Sequence, residues 1–426
     1  MLKIKGSGGF MKKVVSILLM FILLLNFSSC QKIGSKEKEQ KKLKIAIMYP
    51  EESIGGIYKE IVKKYEANNP DVKVELILDF SDETKIKEAL TKEGEYDIIA
   101  LKRNQLIEYA KTGLIQDITD FVDRNGLRDK LYPINISYGT FNGKVYGIGD
   151  LPITYEWFYN KSLFNKYGIK EPTSLKEFID ISKKFKNVGI IPISVGAMDR
   201  WTLVLLFGNI TCQTTGIQSF TDNLGSDKKA FENIEGIDEA FNIFEKITKT
   251  SIDKNCVDIN FMQSVDDFIK GKAAILPSIS ITKQLIDSKK TAGFEYGVFE
   301  YPIIFKDNPI SKLSASGGQI LALSSKTSNR EAAEKFLSFL FSEQAQKLFV
   351  EKGYISALKF VNQPDTIIDR TIISHIEMTD DNSGMLIDNV DLKMADAIGI
   401  VLSDIIEGRV KAKEAWERVL KISFQQ

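Results

Sequence analysis

The chain has 426 residues, more than one hydrophobic core usually organises, so its length favours two domains. Basic residues (Lys and Arg) and acidic residues (Asp and Glu) number 57 each, which excludes the basic excess typical of nucleic-acid-binding proteins. One histidine, His375, and three cysteines leave a Ser-His-Asp site, a Cys-His site or a zinc cluster short of residues. We therefore predict no metal, no cofactor and no nucleic-acid partner.

The N-terminal residues have the pattern of an export signal. Two lysines precede the apolar run Val14–Leu25, which is shorter than the roughly 20 residues that span a bilayer. The pattern predicts a signal peptide over residues 1–29, with Met1 and Met11 both open as the start. Removal of its four lysines from the 57 basic residues leaves 53 against 57 acidic residues.

The segment that ends the signal resembles the lipobox of bacterial lipoproteins. Ser28 and Ser29 directly precede Cys30, although Phe27 stands where leucine is usual. The resemblance implies that Cys30 carries lipid and anchors an exported protein to the outer face of the cell membrane or in the periplasm. The alternative is a cysteine that simply follows a conventional cleavage site. Residues 30–42 are polar and charged, which predicts a flexible tether.

The other two cysteines, Cys212 and Cys256, have two interpretations. They pair in a disulfide, as an oxidising compartment permits, or they are two buried free thiols.

The folded part begins with alternating strand and helix patterns. These patterns cover Leu43–Met48, Ile57–Tyr65, Val72–Leu78 and Tyr96–Leu101. Repeated strand–helix–strand order predicts an α/β fold with a mostly parallel sheet and helices on both faces. In such sheets ligands lie outside the carboxyl ends of the strands, so the loops at 49–53, 79–82 and 102–104 are candidate ligand loops.

A series of segments, in a fixed order over most of the chain, points to one family. They are Gly143–Ile148, Tyr155–Phe164, Pro172–Phe178, Ile190–Ser194, Phe268–Ala274, Gly317–Gln319, Glu331–Leu340, Ser342–Lys347 and Gly353–Ser356. In this order they resemble extracellular solute-binding proteins of the ABC-transporter sugar-binding family, the relatives of maltose-binding protein.

The resemblance implies a two-lobe periplasmic-binding-protein fold of type II, in which segments that cross between the lobes form a hinge. We expect the N-terminal lobe to comprise residues 43–153 plus 312–350, and the C-terminal lobe residues 156–308 plus 351–426. The crossings are expected near 153–155, 307–311 and 350–353.

The resemblance also implies a function without catalysis. A monomer would capture a small solute, a mono- or oligosaccharide, by hinge closure and deliver it to the permease subunits of an ABC transporter. One departure weakens the sugar assignment, because Ile275–Ile281 lacks the glycine and stacking aromatic that the family commonly has there. A non-sugar solute therefore stays open, as do an exported carbohydrate-active enzyme and an adhesin.

Sugar sites combine aromatic platforms with hydrogen-bonding side chains, and glycines that let the backbone approach the ligand. The candidates are Tyr49, Glu51, Glu52, Arg103, Asp150, Tyr155, Trp201, Gly317 and Gly318. Each has a structural alternative: Trp201 leads into an apolar run and fits a core residue, and Arg103, Glu51 and Glu52 fit a solvated surface. We expect Trp201 and Asp150 to hold the ligand from opposite sides.

Overall fold

The computed structural model describes residues 40–425. The strands are β1 Lys41–Ala46, β2 Val72–Ile77, β3 Ile98–Leu101, β4 Thr140–Phe141, β5 Lys144–Val145, β6 Gly147–Gly149, β7 Ile153–Asn160, β8 Ile191–Ile193, β9 Ala273–Ile279, β10 Tyr296–Val298, β11 Ala315–Ser316 and β12 Ile320–Leu323. Cys30 and the predicted signal peptide lie outside the described residues.

Helices fill most of the chain between the strands. They are α1 Gly56–Asn68, α2 Glu83–Thr91, α3 Arg103–Lys111, α4 Thr119–Arg124, α5 Leu127–Lys130, α6 Pro133–Ser137, α7 Lys161–Lys166, α8 Leu175–Asn187, α9 Trp201–Thr214, α10 Gln218–Thr221, α11 Lys228–Phe231, α12 Ile237–Ser251, α13 Phe261–Ile269, α14 Thr282–Lys289, α15 Arg330–Leu340, α16 Glu343–Glu351, α17 Ile367–Glu377, α18 Leu392–Glu407 and α19 Ala412–Ser423. Shorter helical turns cover Glu51–Gly55, Lys254–Asp258, Lys359–Val361 and Leu386–Asp388.

The first sheet has five strands in the order β2-β1-β3-β12-β6. The strands β2, β1 and β3 are parallel, as the strand–helix–strand pattern predicts, whereas β12 runs antiparallel to both β3 and β6. Strand β1 begins at Lys41, two residues earlier than expected, because its backbone already pairs with Val72 there.

The second sheet has the order β10-β7-β9-β8, with β11 beside the start of β7. Only β8 and β9 are parallel, and β7 is antiparallel to β9, β10 and β11. The expectation of mostly parallel sheets is therefore wrong in detail, and both sheets are mixed. The cause is that β7 and β12 follow directly on crossings from the other sheet and do not follow a helix of their own sheet.

We call the elements packed on the two sheets the first lobe and the second lobe. The chain crosses between β6 and β7, again between β11 and β12, and a third time between the turn Lys359–Val361 and α17. Residues 315 and 316 pair with β7 of the second sheet. Residue 358 forms a bridge with Leu131 in the first lobe. The exact lobe boundaries stay a prediction.

Helices cover both faces of the first sheet. On one face α1 packs against α15 and α16, with ring centroids 5.1 Å apart for Tyr65 and Phe336 and 6.0 Å apart for Tyr58 and Phe349. On the other face α2 and α3 bury Leu90 and Leu106. This layering follows from the apolar spacing of each helix.

The second lobe is organised around α9, which is buried along nearly its whole length and packs against α12 and α18. Cys212 on this helix and Cys256 are both free and buried, and burial raises the pKa of both thiols. Of the two interpretations of these cysteines, the structure has the free thiols.

Candidate functional site

A buried polar cluster lies where the chain first crosses between the sheets. Asp150 is 0 % exposed, and its Oδ2 accepts hydrogen bonds from the Tyr58 hydroxyl at 2.7 Å and from Gln319 Nε2 at 2.9 Å. Its Oδ1 has no hydrogen-bond partner among the described residues. Burial raises the pKa of Asp150 to about 7, although the hydrogen bonds from Tyr58 and Gln319 act in the opposite direction.

Tyr49 borders the same cluster. The backbone N–H of Gln319 donates to the Tyr49 hydroxyl at 3.4 Å, and Gln319 Oε1 accepts from the Met48 N–H at 2.8 Å. Burial and the neighbouring Asp150 carboxyl raise the pKa of Tyr49. Tyr155 is buried, and within residues 40–425 its hydroxyl has no partner. The Tyr155 ring packs edge-on against Trp157 of the second sheet, with centroids 6.1 Å apart. Of these candidates, Asp150 and Tyr49 therefore lie together.

Gly317 and Gly318 form the other side of this crossing. Gly318 has a φ of +77°, and a Cβ at this position would lie 2.5 Å from Asp150 Oδ1. Its N–H donates to Ser316 Oγ at 3.2 Å, and the Gly317 carbonyl accepts from the Leu151 N–H at 3.2 Å. The glycines thus allow the two crossing segments to approach each other closely. Their contact with a ligand stays a prediction.

Arg103, the first residue of α3, joins the two lobes. Its Nε donates to Asn389 Oδ1 at 3.0 Å in the second lobe. One of its terminal nitrogens donates to the carbonyls of Ser137, Tyr138 and Thr140 in the first lobe. Burial lowers its pKa. The guanidinium is therefore held by protein groups. The alternative that Arg103 is a solvated surface residue is wrong.

Further hydrogen bonds join the lobes on the α3 side. The Tyr138 hydroxyl donates to Asp388 Oδ2 at 3.2 Å and accepts from the Met385 N–H at 3.0 Å. Asn104 Nδ2 donates to the Val390 carbonyl at 3.1 Å, and Lys111 Nζ donates to the Leu224 carbonyl at 3.1 Å.

Two cavities lie between the lobes on this side. The first has a volume of about 640 Å³, and Arg103, Tyr138 and Phe141 lie opposite Thr221 and Asn389 in its wall. The second has a volume of about 910 Å³ and lies between α2 and α3 and the second lobe. Both volumes fall within the range of natural small-molecule sites.

The remaining candidates lie away from the buried cluster. Glu51 and Glu52 are exposed in the short helical turn that precedes α1, and Glu51 forms an ion pair with Lys59. Trp201 begins α9 and is partly exposed, with its ring centroid 5.0 Å from that of Phe261. Trp201 therefore belongs neither to the Asp150 cluster nor to the lining of the two cavities.

The sequence analysis missed several residues of this region. Tyr58 lies in an ordinary amphipathic helix pattern that gives no sign of a polar role. For Gln319 the local signal was its position directly after the glycine pair. Tyr138 and Asn389 carry no local signal at all.

Comparison with known proteins decides the family. A family described as bacterial extracellular solute-binding protein matches residues 60–374, which is more than half of the chain and includes parts of both sheets. The chain belongs to this family. The solute-binding protein is 22% identical over 347 residues to the multiple sugar-binding protein of Streptococcus mutans, and the match covers 79% of this chain and 80% of that relative.

Solved structures of similar proteins share the fold. A chitin oligosaccharide binding protein superposes with a TM-score of 0.74 at 19% identity, covering 90% of this chain and 98% of that one. RafE, solved in complex with raffinose, gives a TM-score of 0.67 at 18% identity, covering 89% and 98%. These neighbours confirm the predicted type II two-lobe α/β fold. Within residues 40–425 of this solute-binding protein, no helix has the length and apolar character needed to cross a membrane.

Proposed function

We propose that this solute-binding protein captures a sugar between its two lobes and delivers it unchanged to the permease of an ABC transporter. The observation that carries the proposal is the family match, together with a relative, aligned over most of both chains, that is named a sugar-binding protein. The proposal includes a monomer that has no catalytic activity and is anchored by lipid on Cys30.

Capture follows from the two-lobe architecture. A ligand that contacts both lobes binds the closed arrangement better than the open one, so it shifts the hinge equilibrium toward closure. Moving that equilibrium from about 1:99 to about 99:1 takes roughly 5.5 kcal/mol of differential affinity. A few stacking and hydrogen-bonding contacts shielded from water supply an energy of this size.

We propose that Asp150 and Trp201 provide these contacts from opposite sides. Asp150 supports this role because one of its carboxyl oxygens lacks a partner within the described residues. Asp150 is fully buried and lines neither cavity, so a ligand reaches this oxygen only after the lobes have moved apart. Trp201 supports it because its ring is partly exposed and packs beside Phe261, and Met198 and Met262, close by in sequence, are exposed as well. Glu51 and Glu52 are themselves exposed, so their carboxyl groups are accessible to a ligand.

The first experiment is a thermal-shift screen against monosaccharides, oligosaccharides, polyols and amino acids. A ligand that binds only the native state raises its stability by RT ln(1 + [L]/Kd), so a sugar that binds raises Tm. Recovery of the sugar unchanged after incubation separates a binding protein from an enzyme. A shift only with amino acids or polyols would favour the non-sugar alternative.

The second experiment tests the two residues by calorimetric titration of the sugar identified in the screen. Trp201→Ala and Asp150→Asn are each expected to weaken binding about tenfold or more. Phe360→Ala is the matched control, because Phe360 is 59% exposed on the first lobe and should not contact ligand. If both variants bound the sugar as tightly as the unmodified protein, this assignment would be wrong.

A further inference from the structure

One carboxyl group, that of Asp388, lies between the two lobes. Asp388 ends the helical turn Leu386–Asp388 of the second lobe, and its Oδ2 accepts hydrogen bonds from the hydroxyls of Tyr138 at 3.2 Å and Ser316 at 3.2 Å. Tyr138 directly follows α6 of the first lobe, and Ser316 lies in β11, directly before the second crossing. The carboxyl therefore touches the first lobe and the edge of a crossing at the same time.

Further hydrogen bonds hold Tyr138 against the second lobe. Tyr138 is buried, and its hydroxyl also accepts from the Met385 N–H at 3.0 Å and from Asn389 Nδ2 at 3.4 Å. Asn389 is buried as well, and its Oδ1 accepts from Arg103 Nε and from the Thr221 hydroxyl. Because Tyr138 and Arg103 belong to the first lobe, these bonds break when the lobes move apart on this side. We call the arrangement in which they are formed the joined arrangement.

The charged and titratable groups around Asp388 come from several elements. Lys102 and Arg103, at the start of α3, face it from the first lobe, and Tyr49 of the loop after β1 also lies near it. Asp381, earlier in the same segment, faces Arg103. Within residues 40–425 no lysine or arginine forms an ion pair with Asp388. A charge on this carboxyl is therefore not neutralised by direct contact with a cation.

Burial of the Asp388 carboxyl favours its protonated form. Burial raises its pKa, although the hydrogen bonds from Tyr138 and Ser316 and the nearby positive charges lower it. When the lobes move apart, water reaches the carboxyl, and its pKa returns toward the ordinary value of about 3.9. The joined arrangement therefore binds this proton more tightly than the separated one, so a rise in pH makes it less stable.

We propose that the contact of Asp388 with Tyr138 makes the arrangement of the two lobes depend on pH. The joined arrangement is favoured in acid. It is lost as the pH rises from about 4 through the range in which Asp388 gives up its proton. The inference goes beyond solute capture, because it concerns the lobes themselves and requires no ligand.

The test is small-angle X-ray scattering of the protein, without added solute, in a series of buffers from pH 4 to pH 9. The scattering curve of this structure represents the joined arrangement, and each measured curve gives the fraction of molecules that adopt it. This fraction is expected to be largest at pH 4 and to decrease as the pH rises. A fraction that stays constant over the whole series would overturn the inference.

Asp388→Asn assigns the effect to this carboxyl. The amide oxygen still accepts from Tyr138 and Ser316, but the side chain no longer titrates, so the pH dependence of the joined fraction is expected to disappear. Asp381→Asn is the matched control, because Asp381 is an exposed carboxyl of the same segment, and this variant should behave like the unmodified protein. An equal pH dependence in Asp388→Asn and in the unmodified protein would show that another group is responsible and that the inference is wrong.

Ser316→Ala decides the matter if Asp388→Asn does not fold. The Ser316 hydroxyl stabilises the charged carboxylate, so its loss raises the pKa of Asp388 further, and the decrease of the joined fraction is expected to extend to higher pH. A variant that merely weakened the fold would lower the joined fraction at every pH without moving this range. If the decrease in Ser316→Ala covered the same pH range as in the unmodified protein, Asp388 would not be the group that titrates.

Discussion

Asp150 and Glu156 lie six residues apart on either side of the first crossing, and both side chains are almost completely buried, but their partners differ. The Asp150 carboxyl is held by two neutral donors, Tyr58 and Gln319, and one of its oxygens has no partner within the described residues. The Glu156 carboxyl lies 2.8 Å from Nδ1 of His375 and also accepts from the Thr154 hydroxyl.

The difference shows two ways in which a folded chain holds a buried acid. At Asp150 the effect of burial outweighs that of the hydrogen bonds from neutral donors. The pKa therefore rises to about 7, and the carboxyl keeps its proton below that pH. The Glu156 carboxyl is buried beside a group that can carry a positive charge, the imidazole of His375. Burial by itself lowers the pKa of His375, but Glu156 and the Glu300 carbonyl, which accepts from Nε2 at 3.2 Å, raise the pKa above its usual value.

The largest expected effect comes from removing the cation of the buried pair. His375→Leu leaves Glu156 buried without a charged partner and is expected to lower the free energy of unfolding by about 3–5 kcal/mol, measured by urea denaturation at pH 6. Asp150→Asn at the same pH should cost less, because the oxygen of the new amide side chain would still accept from Tyr58. Equal losses for the two variants would contradict the distinction between a paired and an unpaired buried acid.

The pH dependence of stability is the next largest effect. Because the folded pKa of Asp150, about 7, exceeds its unfolded value near 3.9, the stability from its proton is present below about pH 4 and is lost as the pH rises through 7. The difference in unfolding free energy between the unmodified protein and Asp150→Asn should therefore fall by at most about 4 kcal/mol between pH 4 and pH 7.5.

His375 also makes the free energy of unfolding fall as the pH rises, but in a higher pH range than Asp150. Its pKa is raised on folding, so its stabilisation is present below about pH 6.5 and is lost as the pH rises through the folded value. Urea denaturation between pH 4 and pH 9 separates the two groups, because Asp150→Asn alters the lower part of the curve and His375→Leu the upper part. A curve that neither variant changes would refute both assignments.

The smallest expected effect concerns the neutral donors of Asp150. Tyr58→Phe removes a 2.7 Å hydrogen bond and is expected to lower the free energy of unfolding by about 1 kcal/mol at neutral pH. It should also raise the pKa of Asp150 further, because Tyr58 stabilises the charged carboxylate.

Tyr65→Phe is the matched control for this effect. Tyr65 lies on the same helix, and its hydroxyl has no partner among the described residues, so its loss should leave stability unchanged or slightly improved. A loss for Tyr65→Phe equal to that for Tyr58→Phe would show that the Asp150 contact contributes nothing specific.

Several elements of the fold were predictable from local patterns. The alternation that indicated Val72–Leu78 corresponds to β2, and the helical spacing around Ile61 corresponds to α1. The antiparallel placement of β7 and β12 was not predictable, because strand direction depends on which lobe the chain has just left. Trp201 shows the same limit, since its apolar neighbours in sequence do not reveal that its ring remains partly exposed beside Phe261.

The sequence by itself determined the family and the two-lobe class, because these depend on segments of particular residues in a fixed order along the chain. Only the tertiary structure decided which polar groups meet. Tyr58 and Gln319 lie 92 and 169 residues from Asp150 along the chain, and His375 lies 219 residues from Glu156. Contacts at such separations arise when the crossings bring distant segments together. The resulting burial, which no local pattern records, shifts the pKa values of Asp150 and His375.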